Sequence, residues 1–192
     1  MCGIIGYIGQ KEAYPILLEG LERLEYRGYD SAGICVTYNN QLRLHKTIGR
    51  VHNLKTTFLP GNIGIAHTRW ATHGKPADQN AHPFVDGKNE FSVVHNGIIE
   101  NYLELKEELR QEGVTFTSDT DSEVMVHLIA KYYQGNLKEA VLETIQRLQG
   151  AYAFCVMKND SSEIVGGRNG SPLIVGVGEN EIKLLEERYE KF

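Results

Sequence analysis

The sequence predicts one domain of the α/β (α+β) class, and three observations carry that prediction. Apolar residues alternate along the chain between period-two runs and stretches with helical spacing. No linker, internal repeat or low-complexity tract divides it. Its 192 residues, 41% hydrophobic and 23% charged with a net charge of −5, suit one core of ordinary size in a soluble enzyme domain.

The elements follow in order. Gly3–Ile8 predicts a strand and Ala13–Leu24 a helix, with Ile16, Leu17, Leu21 and Leu24 on one face and Pro15 tolerated in its first turn. Ser31–Tyr38 and Leu42–Thr47 predict a hairpin around Asn39-Asn40. Strands are expected at Ile63–Thr68 and Phe91–His95, and a helix at Tyr102–Glu112 that stops before Gly113. Thr120 is placed to N-cap a helix over Asp121–Gln134, with Glu123 completing a capping box. Leu137, Val141, Ile145 and Leu148 mark another helix. Ala151–Met157, Ile164–Gly166 and Leu173–Val177 then return to strand character.

Several function classes are excluded. No apolar run approaches the roughly 20 residues a membrane span needs, and Gln10-Lys11-Glu12 breaks any signal-peptide pattern, so a cytoplasmic location and no membrane partner are expected. The three cysteines are widely spaced and form neither a disulfide framework nor a Cys-x-x-Cys site, and Cys35 and Cys155 sit in apolar runs as small buried hydrophobes. The slight acidity, without a basic stripe, argues against nucleic acid.

Cys2 stands directly behind Met1. Removal of Met1 would leave a thiol and a free α-amine on one residue. An α-amine has a pKa of about 7.7–8.0, so it can act as the general base the thiol otherwise lacks. Position alone leaves an equal alternative, that Cys2 is the first residue of a buried strand.

The motifs around it decide between the two. Leu24-Glu25-Tyr26-Arg27-Gly28-Tyr29-Asp30-Ser31-Ala32-Gly33, His67-Thr68-Arg69-Trp70-Ala71-Thr72-His73-Gly74, Asn80-Ala81-His82-Pro83 and His95-Asn96-Gly97-Ile98-Ile99-Glu100-Asn101 occur in that order. With Cys2 they closely resemble the glutaminase domains of the glutamine:fructose-6-phosphate amidotransferases, which are class II, N-terminal-nucleophile glutamine amidotransferases. The resemblance runs from Cys2 to about Glu181. It implies a four-layer αββα sandwich with two antiparallel sheets, L-glutamine as substrate, and hydrolysis to glutamate and ammonia by Cys2. It also implies a sugar-phosphate isomerase domain as partner, absent from this chain, where ammonia would enter glucosamine 6-phosphate. A glutaminase domain of another amidotransferase and an inactive scaffold derived from such a domain are the alternatives.

The chemistry of the motifs agrees. Attack on a carboxamide makes an oxyanion that needs fixed donors. Asn96 and Gly97 can supply a side-chain amide and a backbone N–H, although Asn-Gly is also a common turn dipeptide; the resemblance makes them the oxyanion hole. Free glutamine carries an α-carboxylate and an α-ammonium. Arg69 is apt for the first as a bidentate clamp, and Asp121 is a candidate for the second, with helix capping its alternative. By resemblance Arg69 and Asp121 bind substrate together with Thr72 and His73, and Trp70 lines and closes the site. His82 and Arg27 are grouped with the substrate-binding residues, His82 as a brace for the glutamine loop by hydrogen bonding and Arg27 because in the family the strand near it approaches the nucleophile. His67, His73, His82 and His95 match no zinc spacing, and a cysteine-plus-amine mechanism needs no metal or cofactor. Residues 182–192 read as a charged helical tail foreign to the family, which leaves residues 2–181 as the glutaminase domain.

Overall fold

The computed structural model describes residues 2–70 and 75–186. In chain order these form β1 (Gly3–Gly9), α1 (Ala13–Leu24), β2 (Ser31–Tyr38), β3 (Gln41–Ile48), β4 (Ile63–Arg69), β5 (Phe84–Val85) and β6 (Phe91–Gly97). There follow α2 (Tyr102–Gln111), α3 (Glu123–Tyr132), α4 (Leu137–Ile145), β7 (Tyr152–Lys158), β8 (Ile164–Asn169), β9 (Ile174–Gly178) and β10 (Glu181–Leu185). Two antiparallel sheets result, ordered β3-β2-β4-β1-β10-β9 and β5-β6-β7-β8.

The layering follows from where successive side chains go. Along β1, Ile4 enters the space between the sheets with Ile65, Val94, Cys155 and Met157, while Ile5 and Tyr7 face α1 and its Leu17, Leu21 and Leu24. Both faces of the strand are therefore covered, which is why it reads as a nearly continuous apolar run. Leu105, Leu109, Leu128, Ile129 and Val141 of α2, α3 and α4 close the far face of the second sheet against Phe91, Val93, Phe154 and Val156. Helix, sheet, sheet and helices stack as the expected αββα sandwich. At the β2–β3 turn Asn39 and Asn40 both have positive φ, 51° and 57°, the geometry a two-residue hairpin turn of the right twist demands.

Two expectations are corrected. Residues 182–185, read as the start of a helical tail, belong instead to β10, which pairs Leu185 with Ile5 of β1 and Ile182 with Val177 of β9. The adjacent Leu184 and Leu185 suggest one helical face, but in the strand they point oppositely, Leu184 into the inter-sheet core and Leu185 toward α1. A turn with Asn180 at φ 59° reverses the chain into this strand. Residues 187–192 lie outside the described residues.

The second correction concerns α3, which begins at Glu123 rather than Asp121, with Ser122 as an N-cap that makes no side-chain capping bond. Thr120 instead hydrogen-bonds Ser118. The Glu123 carboxylate accepts from the Thr117 and Ser118 amides at 2.8 and 2.7 Å, so it ties down the preceding loop rather than the Thr120 amide. The capping-box spacing is present, but a tertiary use of the carboxylate displaces it.

Candidate active site

Antiparallel pairing brings three strand ends to one edge of the sandwich. Gly3 pairs with Thr68, so Cys2 at the start of β1 lies beside Arg69 at the end of β4, and β6 ends nearby at Asn96 and Gly97. The loop before α3 adds Thr120 and Asp121. Cys2, Arg69, Trp70, His82, Asn96, Gly97 and Asp121 line one small cavity of about 30 Å³, room for one or two waters. An amino-acid ligand therefore has to widen it. A larger groove of about 400 Å³ between α1 and β10 holds no cysteine, histidine or buried carboxylate, whereas the smaller cavity gathers all three.

The Cys2 Sγ is held by the Trp70 backbone: it accepts the Trp70 N–H at 3.2 Å and lies 3.6 Å from the Trp70 carbonyl. Gly28 makes this peptide accessible. A Cβ there would stand 2.8 Å from the Arg69 carbonyl carbon and 2.9 Å from the Trp70 nitrogen. Burial pushes the thiol pKa up from its ordinary value, although the Trp70 N–H and the Arg69 charge act to lower it. The resting sulfur is thus a thiol, and a nucleophilic role for it would require a base. No histidine among the described residues hydrogen-bonds it. The histidines nearby are also neutral: burial lowers His67 to about 3, His95 to about 4 and His82 well below the usual value.

Asn96 is held at one end of its amide and left open at the other. Its Oδ1 lies 2.7 Å from Nε2 of His67, while its Nδ2, buried, finds no partner among the described residues. Gly97 has φ 122°, and a Cβ on it would stand 2.0 Å from the Ala151 carbonyl oxygen, so glycine is required there. Asp121 is buried and its Oδ2 accepts the Ile99 N–H at 2.8 Å. It therefore does not cap α3; it fixes the chain just after Gly97. Arg69 is 4% exposed; burial lowers its pKa from the ordinary value, while Asp30 and Asp121 favour its charge. Trp70 is 45% exposed and meets the edge of the Tyr29 ring at 5.6 Å.

Two expected site residues are used differently. Arg27 is buried in the turn after α1, donates to the Glu186 carbonyl at 2.6 Å and lies 3.9 Å from its carboxylate; it does not line the cavity. A buried guanidinium needs a counter-charge, and the end of β10 provides it. His82 packs rather than hydrogen-bonds. Its ring lies 4.1 Å from that of His67 and 4.5 Å from that of Phe84, and neither ring nitrogen has a hydrogen-bond partner among the described residues. Thr72 and His73 lie outside the described residues. Sequence reasoning missed His67, His95 and Ser122 as structural partners, the last two joined at 2.7 Å. The available signal was the strand period, which puts His67 on the same face as Arg69. No cluster of metal-binding side chains and no helix long and apolar enough to cross a membrane occur among the described residues.

Comparison with known proteins gives a consistent result. The family model for a glutamine amidotransferase domain matches residues 67–184. A glutamine--fructose-6-phosphate aminotransferase [isomerizing] from Aquifex aeolicus is 56% identical over 186 residues, covering 94% of this chain and 31% of that protein. Its counterpart from Symbiobacterium thermophilum is 51% identical over 192 residues, covering 97% and 32%. The chain thus spans about a third of the length of these curated relatives. Among solved structures, the glutamine phosphoribosylpyrophosphate amidotransferase of B. subtilis, complexed with ADP and GMP, superposes with a TM-score of 0.84 at 31% identity over 96% of this chain and 41% of that one. The two-sheet sandwich is that of the N-terminal-nucleophile amidotransferases, and the chain belongs to the glutamine amidotransferase family.

Proposed function

We propose that this chain hydrolyses L-glutamine to glutamate and ammonia, with Cys2 as nucleophile once Met1 has been removed. The observation that carries the reading is a single cavity shared by the Cys2 thiol, a buried amide donor on Asn96, and two buried opposite charges, Arg69 and Asp121. The freed α-amine of Cys2 takes the thiol proton, through a water. The sulfur attacks the side-chain carbonyl, and the resulting oxyanion is held by Asn96 Nδ2 and the Gly97 N–H. Proton transfer to the leaving nitrogen releases ammonia, and water then hydrolyses the γ-glutamyl thioester. Arg69 pairs with the substrate carboxylate and Asp121 with its ammonium, which selects a free amino acid. Trp70, Thr72 and His73 complete the glutamine site, in keeping with the resemblance of their segment to that of the family.

In a full-length protein of this kind, a sugar-phosphate isomerase domain would receive the ammonia and convert fructose 6-phosphate to glucosamine 6-phosphate, in the cytoplasm. The relatives' shared name and the third of their length that this chain spans support that reading. Cys2→Ala tests the glutaminase reading: glutamate release should vanish while calorimetry still detects glutamine binding, and retained glutamate release would overturn it.

A further inference from the structure

The oxyanion donor on Asn96 works in only one orientation of its amide, and something has to choose that orientation. Turned one way, the amide presents Nδ2 to the cavity and can hold an oxyanion. Turned by 180°, it presents a carbonyl oxygen and repels one. We propose that His67 is a positioning residue that sets the Asn96 amide as a donor toward Cys2, an inference that rests on the glutaminase reading above.

The geometry assigns the hydrogens. His67 is 1% exposed, its Nε2 lies 2.7 Å from Asn96 Oδ1, and its Nδ1 has no hydrogen-bond partner among the described residues. An amide oxygen only accepts, so Nε2 must carry the hydrogen. The opposite arrangement is worse on both counts. It needs the hydrogen on Nδ1, buried without an acceptor, and an Asn96 oxygen facing the cavity. Burial holds the imidazole neutral, so it has a single hydrogen; the Asn96 oxygen is a stronger acceptor for it than the nearby His95 backbone, and among the described residues only Asn96 lies at hydrogen-bond distance, at 2.7 Å. The ring is kept in place by His82 stacked at 4.1 Å and by the pairing of β4 between β1 and β2. His67 thus acts through Asn96 and touches no reacting atom.

Three substitutions separate this from a packing role. His67→Phe keeps a ring without a donor, His67→Gln places an amide N–H near the position of Nε2, and His67→Asn is too short to reach. Removing an oxyanion-hole donor outright costs on the order of 10²–10³ in kcat, so its misorientation in His67→Phe and His67→Asn should lower kcat by roughly 10- to 100-fold with KM changed less than about threefold. His67→Gln should recover most of the loss. The aldehyde analogue of glutamine, whose carbonyl adds the Cys2 thiol to form an S–C bond and a tetrahedral oxygen, should lose affinity in parallel with kcat. Glutamine binding, measured in a Cys2→Ala background, should not. A pure packing role predicts equal losses in all three variants or equal losses of both ligands, and either result overturns the proposal. If His67→Phe fails to fold, the Gln-against-Asn comparison decides. Nitrogen-15 NMR of the unsubstituted protein gives a readout independent of turnover: the Nε2–H tautomer is expected at His67, and an Nδ1–H tautomer refutes the proposal. A chain that hydrolyses no glutamine yet shows the Nε2–H tautomer would count against the glutaminase reading and leave the orientation of Asn96 standing.

Discussion

Asp121 offers the sharpest separation of binding from stability. Its carboxylate accepts the Ile99 N–H at 2.8 Å and lines the cavity with Cys2, so one residue carries a structural bond and a charge for substrate. Asp121→Asn keeps an acceptor for Ile99 and removes only the charge. Loss of a charge-assisted hydrogen bond to the substrate ammonium costs about 1.5–3 kcal/mol, which raises KM roughly 10- to 150-fold while the melting temperature barely moves. Asp121→Ala also leaves the fully buried Ile99 N–H without a partner. That adds about 1–3 kcal/mol of destabilisation, or a fall in melting temperature of roughly 2–12 °C for a domain of this size. Glutamate release gives KM and thermal denaturation gives stability. If Asp121→Asn lowered the melting temperature as far as Asp121→Ala and left KM unchanged, Asp121 would be purely structural and the ammonium site would lie elsewhere.

Other consequences are equally direct. The glutamine analogue 6-diazo-5-oxo-norleucine should label Cys2 and spare Cys35 and Cys155, whose thiols burial pushes up to about 12; comparable labelling of either, read by peptide mass spectrometry, would contradict the assignment. Gly97→Ala should abolish glutamate release and destabilise the fold by at least about 1–3 kcal/mol, since its Cβ would collide with the Ala151 carbonyl at a φ of 122°; near-normal activity would remove Gly97 from the oxyanion hole. Glu123, buried, is lowered from 4.5 to about 2, because the opposing effect of burial is outweighed by the His127 ring 3.6 Å away and by hydrogen bonds from Ser118 and Thr117. Its folded value lies below its unfolded one, so its contribution is present above about pH 4.5 and lost as pH falls through about 2. Urea titrations of Glu123→Gln should therefore show a shallower acid loss of stability than the unsubstituted chain, and identical slopes would refute this.

Much of the architecture was legible because local and tertiary preferences agree. The α1 stripe, the Asn39-Asn40 turn and the stop at Gly113, with φ 91°, are set by side-chain spacing and by residues that tolerate positive φ. β10 was not legible, because two neighbouring leucines serve opposite faces of a strand and its partner β1 is distant in sequence. In the site, Cys2, Arg69, Asn96, Gly97 and Asp121 were readable from the chemistry they offer and from the motifs that hold them. The uses of Arg27, His67 and His82 were not, since each depends on a side chain brought near only by folding: Glu186 for Arg27, Asn96 for His67, and the His67 ring for His82.

In the proposed reaction Cys2 alone supplies both nucleophile and base. The direct measurement is glutamate release by two preparations sorted by intact mass, one beginning at Cys2 and one retaining Met1, with circular dichroism confirming that both are folded. Turnover should be confined to chains that begin at Cys2, because a peptide bond to Met1 removes the basic amine. Equal rates from chains that keep Met1 would contradict it.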